Sequence, residues 1–337
     1  MSAHPGLIDL AARRVGGRAV VANDEFFAPK DNLLKPGRGV FLEGKYTDRG
    51  KWMDGWETRR RRTPGHDWCI VRLGVPGVIR AVTVDTNHFR GNHPEACSLD
   101  AIALPGVPAA KALRELQQGW AEILPRSPLK GHAENELEVR TLLRATHVRL
   151  NIYPDGGVAR LRVWGEPRPD WARIGATGGR GPLDLVAVRH GGVPLAASDE
   201  FFSEPVNLIM PDRPADMGDG WETRRRRGPG HDWVVLRLGR RGVIERIEID
   251  TTHFKGNYPE SCSLEGCDAP GLPGATFPGD DARWRDLLPR TKLKGHTRHR
   301  FEVAGAARVP VTHVRLNIFP DGGVARLRLW GRVVEGM

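Results

Sequence analysis

The sequence predicts an all-β protein, two tandem jelly-roll β-sandwich domains produced by an internal duplication, and three observations carry that expectation. The first is repetition. Thr146 to Gly165 returns at Thr312 to Gly331 with only Tyr153 replaced by Phe319 and Val163 by Leu329. Gly55 to Trp68 returns at Gly220 to Trp233, and Asp85 to Glu95 at Asp250 to Glu260, both displaced by 165 residues. The second is alternation: in His147 to Ile152 and again in Val158 to Val163 every second side chain is apolar, the period of a half-buried strand. The third is punctuation, because Gly, Pro, Asn and Asp fall between short apolar-periodic runs in both copies, which argues for antiparallel sandwiches.

In chain order, the first repeat runs from about residue 18 to 166 and opens on Val20-Val-Ala-Asn-Asp-Glu-Phe-Phe27. The second runs from about 182 to 333 and opens on Leu195-Ala-Ala-Ser-Asp-Glu-Phe-Phe202. Residues 167–181, with two prolines and a Gly-Gly-Arg-Gly stretch, read as a linker. Lys35 to Asp54 is ten residues longer than its counterpart Met210 to Asp219, so only the first copy carries an extended loop. Helical periodicity is confined to Ala110 to Gln117. His147 to Ile152 and Val158 to Val163, joined by Pro-Asp-Gly-Gly, are expected to form a hairpin. Trp233 to Leu238 and Ile244 to Ile249 are expected as two strands joined through Gly239 to Gly242.

A chain of 337 residues suits two domains that each own a core. The net charge of +10, from 51 basic against 41 acidic residues, raises the possibility of nucleic acid. The basic residues are interleaved with Asp, Glu and Gly rather than gathered in a tail, so no nucleic-acid partner is expected. A small anionic ligand or a solvated basic surface accounts for the excess. No apolar run is long enough to span a membrane, and Arg13 and Arg14 interrupt any signal-like N-terminal segment. The expectation is a cytoplasmic protein with no membrane partner. Cys69, Cys97, Cys262 and Cys267 are too few for a disulfide scaffold and form no CxxC pair. His66, Asp67, His88 and His132 could ligate a metal, but none of their spacings is diagnostic, and no metal or cofactor is expected. P-loop, GxGxxG, GxSxG and HExxH signatures are absent.

The polar letters kept by both copies define the candidate site. If Val148, Leu150 and Ile152 face a core, then His147, Arg149 and Asn151 face outward, and Arg160 and Arg162 do so beside them. The second copy repeats this face as His313, Arg315, Asn317, Arg326 and Arg328. Each copy also holds Glu-Thr-Arg-Arg-Arg-Arg, from Glu57 and from Glu222, whose alternate arginines, Arg60 and Arg225 among them, offer planar donor forks for a small anion. Gly-His-Asp-Trp follows, and with it His66-Asp67 and His231-Asp232. The third motif places His88 and His253 as acid/base candidates, with Asn92, Glu95, Asn257 and Glu260 able to hydrogen-bond an amide or ureido group. Leu129-Lys-Gly-His132 and Leu293-Lys-Gly-His296 add one further Lys and His per copy.

Gly-Trp-Glu-Thr-Arg-Arg-Arg-Arg, Gly-His-Asp-Trp, Asp-Thr-x-His-Phe-x-Gly-Asn-x-Pro-Glu and Leu-Asn-Ile-x-Pro-Asp-Gly-Gly-Val-Ala-Arg-Leu-Arg-x-Trp-Gly, each present twice, closely resemble the allantoicase family. The resemblance spans both repeats. It implies a duplicated jelly roll of the galactose-binding-like type, a homo-oligomer, and hydrolysis of allantoate to ureidoglycolate and urea in purine catabolism. Allantoate carries one carboxylate and two ureido groups on a single carbon. On that implication Arg60 or Arg160, or their partners Arg225 and Arg326, hold the carboxylate, and Asn92, Asn257, Asn151 and Asn317 match the ureido groups. His88 or His253 handles the proton, and Glu57, Glu95, Glu222 or Glu260 orients urea or water. The competing expectation is a non-catalytic carbohydrate- or anion-binding sandwich, since jelly rolls often only bind.

Overall fold

The computed structural model describes residues 4–177, 181–272, 276, 278–279 and 283–334. Its described residues divide into two compact units, one spanning Asp9–Arg168 and the other running from Pro169 onward together with the residues up to Ile8. Each unit is organised by one long strand. In the first, Asp67–Asp85 runs through an eight-stranded sheet and meets different neighbours along its two halves. Its leading half pairs antiparallel with Arg144–Tyr153 on one side and with Arg18–Ala22 on the other. Its trailing half pairs with Arg160–Pro167 and with Glu134–Glu138. Ala96–Ile102 continues the sheet beyond Arg144–Tyr153, and Ala121–Pro128 closes it.

The alternation of the sequence builds the core of the unit. Cys69 and Val71 on the long strand, Leu150 and Ile152 on its partner and Leu99 beyond it are all buried, and so are Val82, Val84, Leu161 and Val163 on the trailing side. Burial of such side chains contributes roughly 1.5–3 kcal/mol each. The outer side of the sheet is covered too: Val21 and Ile70 pack against Leu113 of the helix Ala110–Glu115, with Trp68 and Trp120 beside them. The second unit repeats the plan around Asp232–Asp250, which pairs with Val193–Ala197, Pro310–Phe319, Arg298–Glu302 and Arg326–Val333. The expected all-β duplication is therefore observed. No helix among the described residues is long and apolar enough to cross a membrane.

Three expectations are corrected. Trp233 to Leu238 and Ile244 to Ile249 are not separate strands but two halves of Asp232–Asp250, with a register break between Arg237 and Gly242. His147 to Ile152 and Val158 to Val163 do not form a hairpin, because they flank the same long strand on opposite sides and toward different ends, and the Pro-Asp-Gly-Gly segment carries the chain across. They consequently share no outer face, and His147, Asn151 and Arg160 are buried, at 1%, 3% and 3% exposure. Within the segment read as a linker lies a helix, Trp171–Thr177, while its residues 178–180 are outside the described set.

Candidate active site

Four segments of the first unit meet at the end of the long strand, and backbone hydrogen bonds lock them together. The crossing after Pro154 is pressed against the loop that follows Asp85: Gly157 N–H donates to Asn92 O at 2.8 Å. A Cβ on Gly157 would lie 2.0 Å from the Phe89 ring, and one on Gly323 would lie 1.9 Å from Phe254, so the paired glycines of both copies answer to this close approach. Thr58 and Gly156 exchange hydrogen bonds, Thr58 N–H to Gly156 O and Gly156 N–H to Thr58 Oγ1, both at 3.1 Å. Asp155 accepts the backbone N–H of Arg61 at 2.8 Å, as Asp321 accepts that of Arg226. The crossing thereby fixes where the Arg-rich segment runs.

On this frame Asn92 Nδ2 donates to Glu57 Oε1 at 2.8 Å, and Asn257 Nδ2 to Glu222 Oε1 at 2.5 Å. Burial pushes the Glu57 carboxyl above its ordinary value, and the Asn92 hydrogen bond opposes only part of that. His88 stands four residues before Asn92 in a left-handed conformation, φ 69°, and His253 likewise at 72°. The non-glycine residues with positive φ among those described are all histidines: His88, His132, His253 and His296. Such conformations are costly for non-glycine residues and concentrate at functional sites. Both loops close in the same way, with His88 N–H donating to His132 Nδ1 and His253 N–H to His296 Nδ1, each at 2.9 Å. The rings of each pair lie 5.4 and 5.9 Å apart.

The copies differ at the extended loop. In the first, Phe41 stacks on His88 with centroids 5.6 Å apart. In the second, His253 Nε2 donates to Pro214 O at 3.0 Å, and a cavity of about 240 Å³ opens nearby, lined by residues that include Arg213, Asp250, Thr252, Arg298 and Arg326.

The arginine run sorts into committed and uncommitted members. Arg59 pairs with Asp24 and Arg224 with Asp199, which accounts for the Asp-Glu-Phe-Phe echo at the start of each repeat. Arg61 pairs with Asp67 and Arg226 with Asp232, so the aspartate that follows the histidine in both copies is a counter-ion. Arg60 and Arg225 are exposed and make no hydrogen bond or ion pair with the described residues.

Arg160 and Arg326 were expected on an open face. Instead Arg160 pairs with Asp54 at 2.5 Å and donates further to the carbonyls of Asp54, Ala159 and Arg38. Arg326 pairs with Asp212 and Asp219 at 2.9 and 3.0 Å and also binds the Asp219 and Ala325 carbonyls. Burial works against ionised Asp54, but hydrogen bonds from Lys35 and Arg160 hold its carboxyl below the usual range. Asp54 and Asp219 were missed, although the repeated block extends one residue back to include both, as Asp-Gly-Trp-Glu.

Asn151 and Asn317 belong to another set of contacts. Asn151 Nδ2 donates to Ser98 Oγ and Asp100 Oδ2, and Asn317 Nδ2 to Ser263 Oγ and Glu265 Oε2. Arg149 and Arg315 bind the same two carboxylates, so the swap of Asp100 for Glu265 preserves the network. Glu260 is drawn to the surface by Arg290, Lys292 and Ser261, which hold its carboxyl low. Glu95 is exposed at the start of Ala96–Ile102. Of the expected residues, the structure thus brings Glu57 into contact with Asn92 and Glu222 with Asn257, places His88 and His253 on the same loops as these asparagines but against His132 and His296, and leaves Asn151, Glu260 and the two buried arginines in other contacts.

A family model described as the allantoicase repeat matches residues 8–168 and again 183–334. A probable allantoicase of Burkholderia mallei is 49% identical over 325 residues, covering 96% of this chain and 94% of that protein. One of Pseudomonas aeruginosa is 50% identical over 325 residues, covering 96% and 95%. The crystal structure of allantoicase from Saccharomyces cerevisiae superposes with a TM-score of 0.79 at 35% identity, covering 97% of this chain and 94% of that one.

Proposed function

The chain belongs to the allantoicase family and functions as a hydrolase that converts allantoate to ureidoglycolate and urea; from that premise we propose that the reaction runs at the Glu57–Asn92–His88 cluster and its partner Glu222–Asn257–His253. The observation that carries the placement is the carboxylate–amide pair whose asparagine shares a loop with a positive-φ histidine, present in both copies. In this reading Arg60 and Arg225, the uncommitted forks of the run, receive the substrate carboxylate. Asn92 and Glu57 match one ureido group, the amide donating to its oxygen and the second carboxylate oxygen accepting its N–H. His88 takes a proton from water, whose oxygen bonds to the central carbon as the carbon–nitrogen bond to one ureido group breaks. The same imidazolium then returns the proton to the departing nitrogen, and neutral urea leaves.

Arg160 and Arg326 take a different role from the one first expected, tying the loop before each Asp-Gly-Trp-Glu to the sheet. The repeat boundaries 18–166 and 182–333 join the same reading. So do a cytoplasmic setting, the purine-derived ureide pathway and a homo-oligomer without cofactor, nucleic-acid or membrane partners. The exposed rings of Phe201 and Phe202 supply apolar surface for subunit contact, and the oligomeric mass in solution is read by size-exclusion chromatography with light scattering. Urea release from allantoate tests the site: Arg60→Ala with Arg225→Ala is expected to raise KM at least tenfold in a folded protein. His88→Ala with His253→Ala is expected to lower kcat by about 10²–10⁴-fold. Wild-type kinetics in both pairs would remove the reaction from this cluster. A non-catalytic carbohydrate or anion binder, the rival expectation, has no support in the family match.

A further inference from the structure

We propose that His132 and His296 act on the substrate as fixed neutral hydrogen-bond donors, each presenting Nε2–H to the carbonyl oxygen of the departing ureido group. The inference rests on the placement of the reaction at the His88 and His253 loops. A backbone N–H can only donate, so the 2.9 Å contacts from His88 N and His253 N occupy the Nδ1 lone pairs of His132 and His296. Each neutral ring then carries its proton on Nε2. No described residue takes that proton, and both side chains are exposed at the mouth of the loop, their rings 5.4 and 5.9 Å from those of His88 and His253.

A cap for a loop amide does not require imidazole. Asn or Asp would accept the same N–H through an oxygen at the position of Nδ1, and both tolerate the left-handed conformation that His132 and His296 adopt at φ 54° and 49°. What histidine adds is a second nitrogen beyond the cap. As the carbon–nitrogen bond breaks, charge builds on the departing nitrogen and spreads to its carbonyl oxygen, where a preorganised donor is most effective. No proton is transferred by His132 or His296; the proton moves through His88 or His253, and the donor hydrogen bond strengthens as the bond breaks.

The discriminating variant is His132→Asn with His296→Asn, which retains the amide cap and removes the distal donor. Its melting temperature is expected to match wild type, while kcat for urea release falls about 10²–10³-fold with KM changed far less. Turnover within a few-fold of wild type would overturn the proposal and leave the two rings as caps. Long-range ¹⁵N–¹H correlation NMR on the wild-type protein provides a readout independent of turnover and of variant folding. The expected pattern is Nε2–H with unprotonated Nδ1 for both rings near neutral pH, and protons on Nδ1 would overturn the assignment. If His88→Ala with His253→Ala keeps full activity, the location of the site fails instead, which separates the two outcomes.

Discussion

Arg160 and His147 show how a polar letter kept by both copies can be committed to the interior. Arg160 is 3% exposed and its ion pair with Asp54 is buried, so Arg160→Ala removes one of the two cations on that interior carboxylate, leaving Lys35 alone, and strips donors from the Asp54, Ala159 and Arg38 carbonyls. Loss of about 3–5 kcal/mol is expected, measured by urea unfolding, whereas Arg60→Ala, at an exposed and unpaired side chain, is expected to leave stability within about 0.5 kcal/mol. His147 and His313 are buried beside Thr146 and Thr312, and burial pushes both rings down to about 4 from 6.5, with Arg72 and Arg237 adding to the effect. The unfolded chain therefore binds protons below pH 6.5 that the folded protein refuses until about pH 4. Stability is fully present above that window and is lost as pH falls through it, by roughly 3 kcal/mol for each histidine at most. Urea midpoints at pH 7 and pH 4.5 measure the slope, and His147→Asn with His313→Asn is expected to flatten it. An unchanged slope would show that these two rings do not govern it.

At the level of elements, the crossing Tyr153 to Val158 is the part whose role reverses between sequence and structure. Pro-Asp-Gly-Gly has the composition of a hairpin turn, yet its last three letters are explained by what the crossing touches: Asp155 holds Arg61 N–H, Gly156 exchanges hydrogen bonds with Thr58, and Gly157 admits the Phe89 ring. Gly157→Ala forces a methyl into a buried aromatic ring and displaces the Asn92 carbonyl from its partner. A cost of about 1–3 kcal/mol in thermal or chemical unfolding is expected, with a drop in kcat larger than the stability loss alone would cause. The extended loop is the element in which the copies differ most, ten residues longer than Met210 to Asp219. Its tip around Phe41 covers His88, while Asp54 at its end anchors Arg160. Deleting Val40 to Arg49 is therefore expected to preserve the fold, since loop length affects closure entropy weakly, and to raise KM in copy one. Kinetics in a background carrying His253→Ala would isolate that copy, and an unchanged KM would show that the loop takes no part in binding.

At the scale of the whole molecule, the duplication means that each unit owns a core, a long shared strand and a complete loop cluster. Residues 9–168 expressed alone are expected to unfold cooperatively, as followed by far-UV circular dichroism. With one cluster per copy, His88→Ala and His253→Ala singly are each expected to leave partial urea release, whereas the pair removes it. Complete loss from one substitution alone would assign the reaction to a single copy.

Much of this was legible in the chain itself. The tandem repeat, the β-class and the inward set Val148, Leu150, Ile152 and Leu161 follow from periodicity and internal comparison, because side-chain alternation in a strand is a local property. Two copies retaining the same polar letters also exposed Glu57, Asn92, His88 and His132 as a group. Pairing was not legible: nothing local distinguishes a hairpin turn from a crossing over an intervening strand, so the sequence could not tell that Asn151 and Arg160 lie on strands separated by Asp67–Asp85. Nor could it separate Arg60 from Arg160, since an arginine's availability depends on whether a carboxylate distant in sequence, such as Asp54, already occupies its fork. The repeat determined which residues matter, and long-range contacts decided which of them remain free to meet a substrate.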